Sequence, residues 1–266
     1  MIPDESSCFI FIIGVLNRFW ATTPSRALPA WAAPAGDPFN SPLWPNMHKL
    51  MLGGGKVVFD PKVKVTIPER VEDGHFVPVT VDARELGEVR ELVLFADYNP
   101  IPRALRYQPL AAQPRLSVAM RVNQATPIRA AALDGKGVWH VSGQWLDAPG
   151  GGCALPSQTR STTDWNSLLG RVSGRAWRED GALRVRLGVM HPMDTGLVSN
   201  VARFNIEQLD IRDADNRLLA RLETDASLAE NPLFTLHLRP TPTPLLRASS
   251  QDNDGNHYTA TLPLAP

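Results

Sequence analysis

The stretch L-R-V-R-L-G-V, residues 183–189, decides the fold class. Every second residue in it is aliphatic, and the residues between are arginine or glycine. Successive side chains of a β-strand point to opposite faces, so this period of two predicts a strand with one buried face. Arg184 and Arg186 are then expected on the solvated face.

The same alternation recurs in the rest of the chain. It is clear in V-P-V-T-V (77–81) and in R-L-S-V-A-M-R-V (115–122), and turn residues such as Asp73-Gly74 and Asp134-Gly135 separate the segments. Short strands divided by turns are typical of antiparallel β-sandwiches. Further strands are predicted at Val63–Ile67, Arg90–Ala96, Ala104–Tyr107, Ile128–Leu133, Val138–Trp145, Asn205–Arg212, Leu218–Glu223, Phe234–Arg239, Leu245–Ser249 and Tyr258–Leu262.

The length of 266 residues is enough for two domains of ordinary size. A Ser/Thr-rich connector, S-Q-T-R-S-T-T-D-W-N-S (157–167), separates the strands of the two halves. One short helix is predicted from Pro45 to Leu52, because proline suits a first turn and Gly53 suits a helix end. The predicted layout is a signal peptide over 1–32, an N-terminal extension with the short helix over 33–56, a first β-sandwich over 57–149, an arm and linker over 150–181, and a second β-sandwich over 182–266.

The predicted signal peptide rests on the apolar run F-I-F-I-I-G-V-L (9–16) and on the small-x-small cleavage pattern at 30–32. Asp4 and Glu5 stand where such a leader usually carries lysines. The run is shorter than the roughly 20 apolar residues that span a bilayer. We therefore predict export, loss of Cys8 with the leader, and no membrane attachment after processing. A short buried or interfacial segment is the alternative.

Charge and composition argue against several partners and cofactors. Lys+Arg and Asp+Glu are 27 each, so the net charge is zero and nucleic acid is not an expected partner. G-G-G-K (53–56) lacks the spacing and the Ser/Thr of a phosphate-binding loop. D-N-D-G (252–255) begins like a calcium loop but lacks the remaining ligands, and predicts a hairpin turn. The histidines have no metal-ligand spacing, so neither metal nor cofactor is predicted.

The segment W-L-D-A-P-G-G-G-C-A-L-P (145–156) is centred on Cys153. Gly150, Gly151 and Gly152 lack a Cβ and can adopt positive or negative φ at little steric cost. Such a run weakens the interior of a strand or helix, and it predicts a flexible arm, residues 150–153, with an accessible thiol. An unpaired cysteine in an exported protein indicates a reactive thiol or an intermolecular partner. A buried, inert cysteine is the alternative.

The sequence neighbours of Cys153 do not activate its thiol. Asp147 is anionic and the nearest cation in sequence is Arg160, so no local charge is expected to lower the pKa of the thiol. His140 is the only nearby histidine, and a position on a strand surface is the simpler interpretation. This pattern suits a carrier whose partner enzymes supply the activating groups, whereas a cysteine hydrolase needs its own base.

The order of these motifs resembles the SoxYZ sulfur carrier family, with both subunits in one chain. The resemblance rests on V-P-V-T-V (77–81), L-F-A-D-Y-N-P (94–100), G-V-W (137–139) and G-G-C (151–153) in the first half, and on R-V-R (184–186), H-P-M-D-T-G (191–196) and N-P-L-F (231–234) in the second. A fused chain is similar to the SoxYZ-like carriers associated with quinoprotein dehydrogenases.

The resemblance implies an all-β chain of two immunoglobulin-like antiparallel β-sandwich domains in tandem. It also implies that Cys153 carries sulfur intermediates covalently on the arm of Gly150, Gly151 and Gly152, with no catalytic residue in the chain. Ala154-Leu155-Pro156 replaces the two glycines that follow the cysteine in the family, so the arm is held at both ends. The predicted docking residues for a partner are His191, Pro192, Met193, Asp194, Thr195 and Gly196.

The partners that the resemblance implies are periplasmic sulfur-oxidation enzymes, or a quinoprotein dehydrogenase with its cytochrome. Two other functions are open at this point. One is a non-covalent accessory module of such a dehydrogenase system, and the other is a cysteine enzyme with its own base.

Overall fold

A computed structural model describes residues 36–161, 164–179, 181–240 and 242–264. The predicted signal peptide and Cys8 lie outside these residues. The elements in chain order are α1 (Trp44–Leu52), β1 (Val57–Phe59), β2 (Lys64–Thr66), β3 (Val77–Asp82), β4 (Val89–Ala96), β5 (Arg103–Gln108), β6 (Ala112–Met120), β7 (Thr126–Asp134), β8 (Trp139–Leu146), α2 (Trp165–Leu168), β9 (Val172–Glu179), β10 (Ala182–Val189), β11 (Ile206–Arg212), β12 (Leu218–Thr224), β13 (Leu233–Leu238), β14 (Leu245–Asp252) and β15 (His257–Pro263).

The strands form two sheets that face each other. The nine-stranded sheet has the order β1-β8-β7-β4-β5-β12-β11-β14-β15, and the six-stranded sheet has the order β2-β3-β6-β13-β10-β9. Neighbouring strands within the described residues are antiparallel, apart from β1, which lies parallel to β8. The prediction of an all-β chain with two tandem immunoglobulin-like sandwiches is confirmed.

The two sandwiches join edge to edge. In the nine-stranded sheet β5 of the first half pairs with β12 of the second, and in the six-stranded sheet β6 pairs with β13. Each sheet therefore runs through both halves, and one continuous hydrophobic core lies between the sheets. The pairing satisfies backbone groups at four strand edges that would otherwise be exposed. The halves are thus one compact unit.

The alternating segments form the strands that they predict. In β10, Leu183, Val185 and Leu187 are buried while Arg186 is exposed. Two strands were not predicted. β1 is only three residues long, and β9 lies within the span 150–181 that the sequence assigned to arm and linker. That part of the linker prediction is wrong because β9 is an edge strand whose side chains are mostly exposed, which removes the apolar alternation.

The N-terminal extension covers the outer face of the nine-stranded sheet. The helix α1 buries Trp44 and Met51 against Phe95 and Trp139 of that face. The extension covers one face of β7 and the core between the sheets covers the other, so β7 is buried over most of its length.

An ion-pair cluster fastens the extension to β7. Arg129 is fully buried, and its guanidinium donates to both carboxylate oxygens of Asp97 at 2.8–2.9 Å and of Asp37 at 2.8–3.0 Å. The rings of Phe39 and Trp44 lie 4.8 and 4.6 Å from its Cζ. Burial by itself raises the pKa of Asp37, but the hydrogen bonds and charge of Arg129 outweigh it and leave that pKa below its ordinary value.

Candidate functional site

Cys153 lies beyond the end of β8, and its side chain is fully buried. The Gly151 amide donates to the Asn123 carbonyl at 3.0 Å, and Thr195 Oγ1 donates to the Cys153 carbonyl at 2.8 Å. Asn123 belongs to the first half and Thr195 to the second, so both halves hold the arm. The prediction of an accessible thiol is wrong for this conformation, because the packing of both halves encloses the sulfur.

The glycines of the arm permit close backbone packing. A Cβ on Gly152 would lie 2.2 Å from the Gly74 carbonyl oxygen and 2.3 Å from the Val122 carbonyl oxygen. A Cβ on Gly74 would lie 2.6 Å from the same Val122 oxygen. Gly151 has φ +98°, which L-residues rarely adopt. The run that predicts flexibility therefore also builds a tight docking site.

Residues 154–161, which follow the cysteine, form a strap. The second half of the chain holds this strap by hydrogen bonds. The Glu230 carboxylate accepts from Ser157 Oγ, from the Thr159 amide and from Thr159 Oγ1, the last two at 2.9 Å. Asn231 Nδ2 donates to Thr159 Oγ1 at 2.8 Å. Burial alone raises the pKa of Glu230, but these hydrogen bonds and the charge of Arg121 outweigh it and lower that pKa.

The strap is also held by an ion pair. Arg160 Nε donates to Asp194 Oδ2 at 2.6 Å, and Asp194 is almost fully buried. The Arg160 guanidinium lies over the ring of Trp165 at 4.5 Å, so the cation has an aromatic neighbour as well as a carboxylate. These contacts fix the far side of the arm.

The predicted docking segment, residues 191–196, forms a loop that packs against the arm. Its side chains from His191 to Thr195 are buried, and Gly196 is exposed. Thr195 binds the backbone of Cys153, and the Pro192 carbonyl accepts from Arg121 Nη2 at 3.1 Å. The structure thus brings this loop and Cys153 together within one chain, while a role in docking a partner stays a prediction.

Arg121 and Glu230 belong to this site and were missed by the sequence analysis. Arg121 follows the last residue of β6 and is 2 % exposed. Alternation in 115–122 placed it with Arg115 and Ser117 on the polar face, so no local signal set it apart. Its position in the interior depends on where β6 ends.

The electrostatics of the site keep the thiol protonated. Burial raises the pKa of Cys153 from 9.0 to about 11, and the positive charge of Arg121 offsets part of that effect. This cation is not among the sequence neighbours of Cys153, because Arg121 lies on a distant segment of the chain. At neutral pH the docked Cys153 is therefore a neutral thiol and a poor nucleophile.

The histidines take structural positions. His191 Nδ1 accepts from the Met193 amide at 3.1 Å, so its proton is on Nε2, which lies 3.7 Å from Asp252 Oδ2. Burial lowers the pKa of His191 to about 4, against the raising effect of Asp252. His140 lies on β8 within 3.3 Å of the carboxylates of Asp60 and Asp134.

Three further observations concern the D-N-D-G turn, metal-binding groups and membrane-spanning helices. The segment D-N-D-G forms the hairpin turn between β14 and β15, as predicted. Within the described ranges, no group of three or more His, Cys, Asp and Glu side chains could hold a metal ion. No helix in that part of the chain has the length and apolar character needed to cross a membrane.

Two family models match the chain in tandem. Residues 48–153 match the model described as Sulfur oxidation protein SoxY, and residues 173–263 match the model described as Sulphur oxidation protein SoxZ. The first match ends at Cys153, and the second begins within β9. A comparison with curated proteins gave no match.

Solved structures show more distant similarity. The sulfur carrier protein SoxY from Chlorobium limicola f thiosulfatophilum has 20 % identity and a TM-score of 0.36, and the match covers 40 % of this chain and 96 % of that one. A superoxide reductase (neelaredoxin) from Ignicoccus hospitalis has 16 % identity and a TM-score of 0.28, with 33 % and 80 % covered.

Proposed function

Because the chain carries a SoxY domain followed by a SoxZ domain, we propose that it is a periplasmic carrier that holds a sulfur intermediate covalently on Cys153. The observation that carries the proposal is the position of this cysteine. It is the last residue of the SoxY match, and residues of both domains enclose it. A carrier acts with separate enzymes, so we infer no catalytic residue in this chain.

Carriage by this site requires two states of the arm. In the docked state the sulfur is shielded from solvent, and burial holds the thiol pKa at about 11. In an undocked state the thiol returns toward its ordinary pKa and reaches a partner enzyme. A cysteine enzyme keeps its nucleophile activated in its own site, and the raised pKa of the docked Cys153 is the opposite arrangement.

Sulfane sulfur can reach the undocked cysteine without net oxidation. The Cys153 thiolate attacks the outer sulfur of a partner persulfide, the partner's S–S bond breaks, and the partner thiolate leaves. The new persulfide is on Cys153, and its proton is the one that the outer sulfur carried. Redocking of the arm then shields the cargo until the next partner binds.

We propose sulfur-oxidation enzymes as the class of partner, and the quinoprotein dehydrogenase-associated SoxYZ-like carriers as the subgroup. The subgroup assignment rests on the fusion of both domains in one chain. It predicts that a quinoprotein dehydrogenase and its cytochrome copurify with the chain from its native host. Copurification of sulfur-oxidation enzymes alone would place the chain with the general SoxYZ carriers instead.

Intact-mass analysis of the protein from its native host tests the covalent role. Cells are grown with and without a reduced sulfur compound, and the peptide that contains Cys153 is mapped. We expect the added mass of sulfane sulfur or of a sulfonate on Cys153 under the first condition, and loss of sulfur-dependent growth in Cys153→Ser. Thr261→Ser, at an exposed position of β15, is the control. An unmodified thiol under both conditions, with normal growth of Cys153→Ser, would refute the proposal.

The complete burial of Cys153 favours a second candidate function, a non-covalent accessory module for a periplasmic dehydrogenase. In that case the cysteine fills space between the domains. Cys153→Ser is then harmless, whereas substitution of exposed residues such as Gly196 or Leu197 abolishes copurification. The two functions therefore give opposite results with the same set of variants.

A further inference from the structure

Arg121 is a buried cation with an incomplete set of partners. Its Nη2 donates to the Pro192 carbonyl at 3.1 Å, while its Nε has no hydrogen-bond partner among the residues that the structure describes. Buried charges are ordinarily paired and fully hydrogen-bonded, because an uncompensated buried charge is strongly destabilising. An unpaired donor on a buried guanidinium therefore calls for a ligand.

The neighbouring carboxylates are engaged elsewhere. Glu230 and Asp194 both act on the charge of Arg121 through space. Glu230, however, accepts three hydrogen bonds from the strap, and Asp194 pairs with Arg160. Within the described residues, Asp194 forms its ion pair with Arg160, and neither carboxylate forms an ion pair with Arg121. The net effect is a guanidinium whose Nε donor is free for another anion.

Arg121 and Cys153 are contacted by the same neighbouring segments of the chain. The Val122 carbonyl, next to Arg121, lies against Gly152 of the arm. The 191–196 loop then contacts both groups, through Pro192 to Arg121 and through Thr195 to Cys153. The charge of Arg121 also acts on the pKa of the thiol, against the larger effect of burial. A buried cation with an unpartnered Nε donor therefore acts electrostatically on the Cys153 sulfur.

We propose that Arg121 is an anion-binding residue for the docked arm and that it holds a negatively charged sulfur substituent on Cys153. This inference rests on the proposed carrier function and deepens it. With a neutral thiol the Arg121 Nε has no hydrogen-bond acceptor, whereas a persulfide or S-sulfonate supplies an anionic one. The anionic, loaded form of the arm thus docks more tightly than the empty form, and the site discriminates between cargoes by charge.

A matched pair of adducts on one cysteine tests the proposal. Methyl methanethiosulfonate converts Cys153 to its methyl disulfide, and methanesulfinate leaves. Hydrosulfide then attacks the mixed disulfide, methanethiol leaves, and the anionic persulfide stays on Cys153. The first product is neutral and the second is charged, and they differ little in size. Release of the persulfide sulfur is measured by cyanolysis, in which cyanide takes the outer sulfur as thiocyanate.

We expect cyanolysis to be at least about tenfold faster in Arg121→Gln than in the wild type, since the proposed pairing of the guanidinium with the anionic sulfur is worth that much or more. Arg121→Lys should be intermediate, and Arg186→Gln, which removes an exposed cation on β10, should match the wild type. Thiol exchange of the neutral methyl disulfide should be equal in all four proteins. Equal cyanolysis rates, or an equal change for the neutral adduct, would overturn the proposal.

A measurement on the wild type alone covers the case in which Arg121→Gln does not fold. The persulfide form should unfold at a higher temperature than the methyl disulfide form. A persulfide form that unfolds at the same or a lower temperature contradicts the proposal. Because the adducts are made chemically, this result is independent of whether native cells load Cys153. A native adduct without charge discrimination leaves the carrier function standing and removes only the role of Arg121.

Discussion

Replacing Gly152 with alanine tests whether the arm is docked or free. The added Cβ would lie 2.2 and 2.3 Å from two carbonyl oxygens, and both belong to backbone that cannot rotate away. Overpacking of this kind costs about 1–3 kcal/mol, and undocking of the arm relieves it. The undocked thiol returns from a pKa of about 11 toward 9.0, which gives about a hundredfold more thiolate at neutral pH. We expect alkylation of Cys153 to accelerate by up to that factor.

The assay is the rate of iodoacetamide labelling near neutral pH, followed by mass analysis of the peptide that contains Cys153. Gly150→Ala is the matched control, because a Cβ there would lie 3.5 Å from the Asn123 carbonyl, an ordinary contact. Its labelling rate should equal that of the wild type. A thermal unfolding curve shows that each variant is folded at the labelling temperature.

The Gly152→Ala and Gly150→Ala variants also test whether the glycines serve flexibility alone. If the glycines serve only flexibility, both alanine variants stiffen the arm and neither speeds labelling. Faster labelling of Gly152→Ala alone supports the docked arm. Equal or slower labelling in Gly152→Ala, with the fold intact, would refute the argument from close backbone packing.

Further outcomes follow from the ion pairs and the buried histidine. Arg129→Met leaves two buried carboxylates unpaired and should lower the free energy of unfolding by about 3–5 kcal/mol in urea titrations, whereas Arg217→Met, at an exposed position, should change it by less than about 0.5 kcal/mol. Glu230→Gln weakens charge-assisted hydrogen bonds to the strap and should speed Cys153 labelling about tenfold. An unchanged labelling rate would contradict the role of these hydrogen bonds in holding the strap. His191 binds a proton below pH 6.5 in the unfolded chain but only below about pH 4 in the folded chain. The free energy of unfolding should therefore decrease by up to about 3 kcal/mol as the pH falls from 6.5 to 4, and His191→Gln should flatten this part of the pH profile.

Most strands were predictable because the signal for each is local. An alternation such as that of 183–189 specifies both the strand and its buried face within a few residues. β9 was not predictable in this way, since an edge strand with exposed side chains carries little apolar periodicity. The joining of the halves through β5 and β12 was also beyond the sequence, because strand pairing depends on edges that only the folded halves present.

The residues of the site also differ in how far the sequence alone indicates them. Cys153 and its glycines stood out in the sequence, since three adjacent glycines before a cysteine are unusual in composition and in conformational freedom. Arg121 and Glu230 did not, because each is separated from the cysteine by many residues and follows no motif. Their relation to the sulfur exists only in the packed structure.

The amino-acid sequence by itself determined that this chain is all-β and that Cys153 is its chemically distinctive residue, since both conclusions depend on residue types at short spacing. The tertiary structure decided whether that cysteine is exposed. Gly74, Val122 and Thr195 meet the arm from three distant parts of the chain, and the close approach of their backbone and side-chain atoms buries the thiol. Whether a glycine gives freedom or permits contact depends on what the fold brings next to it.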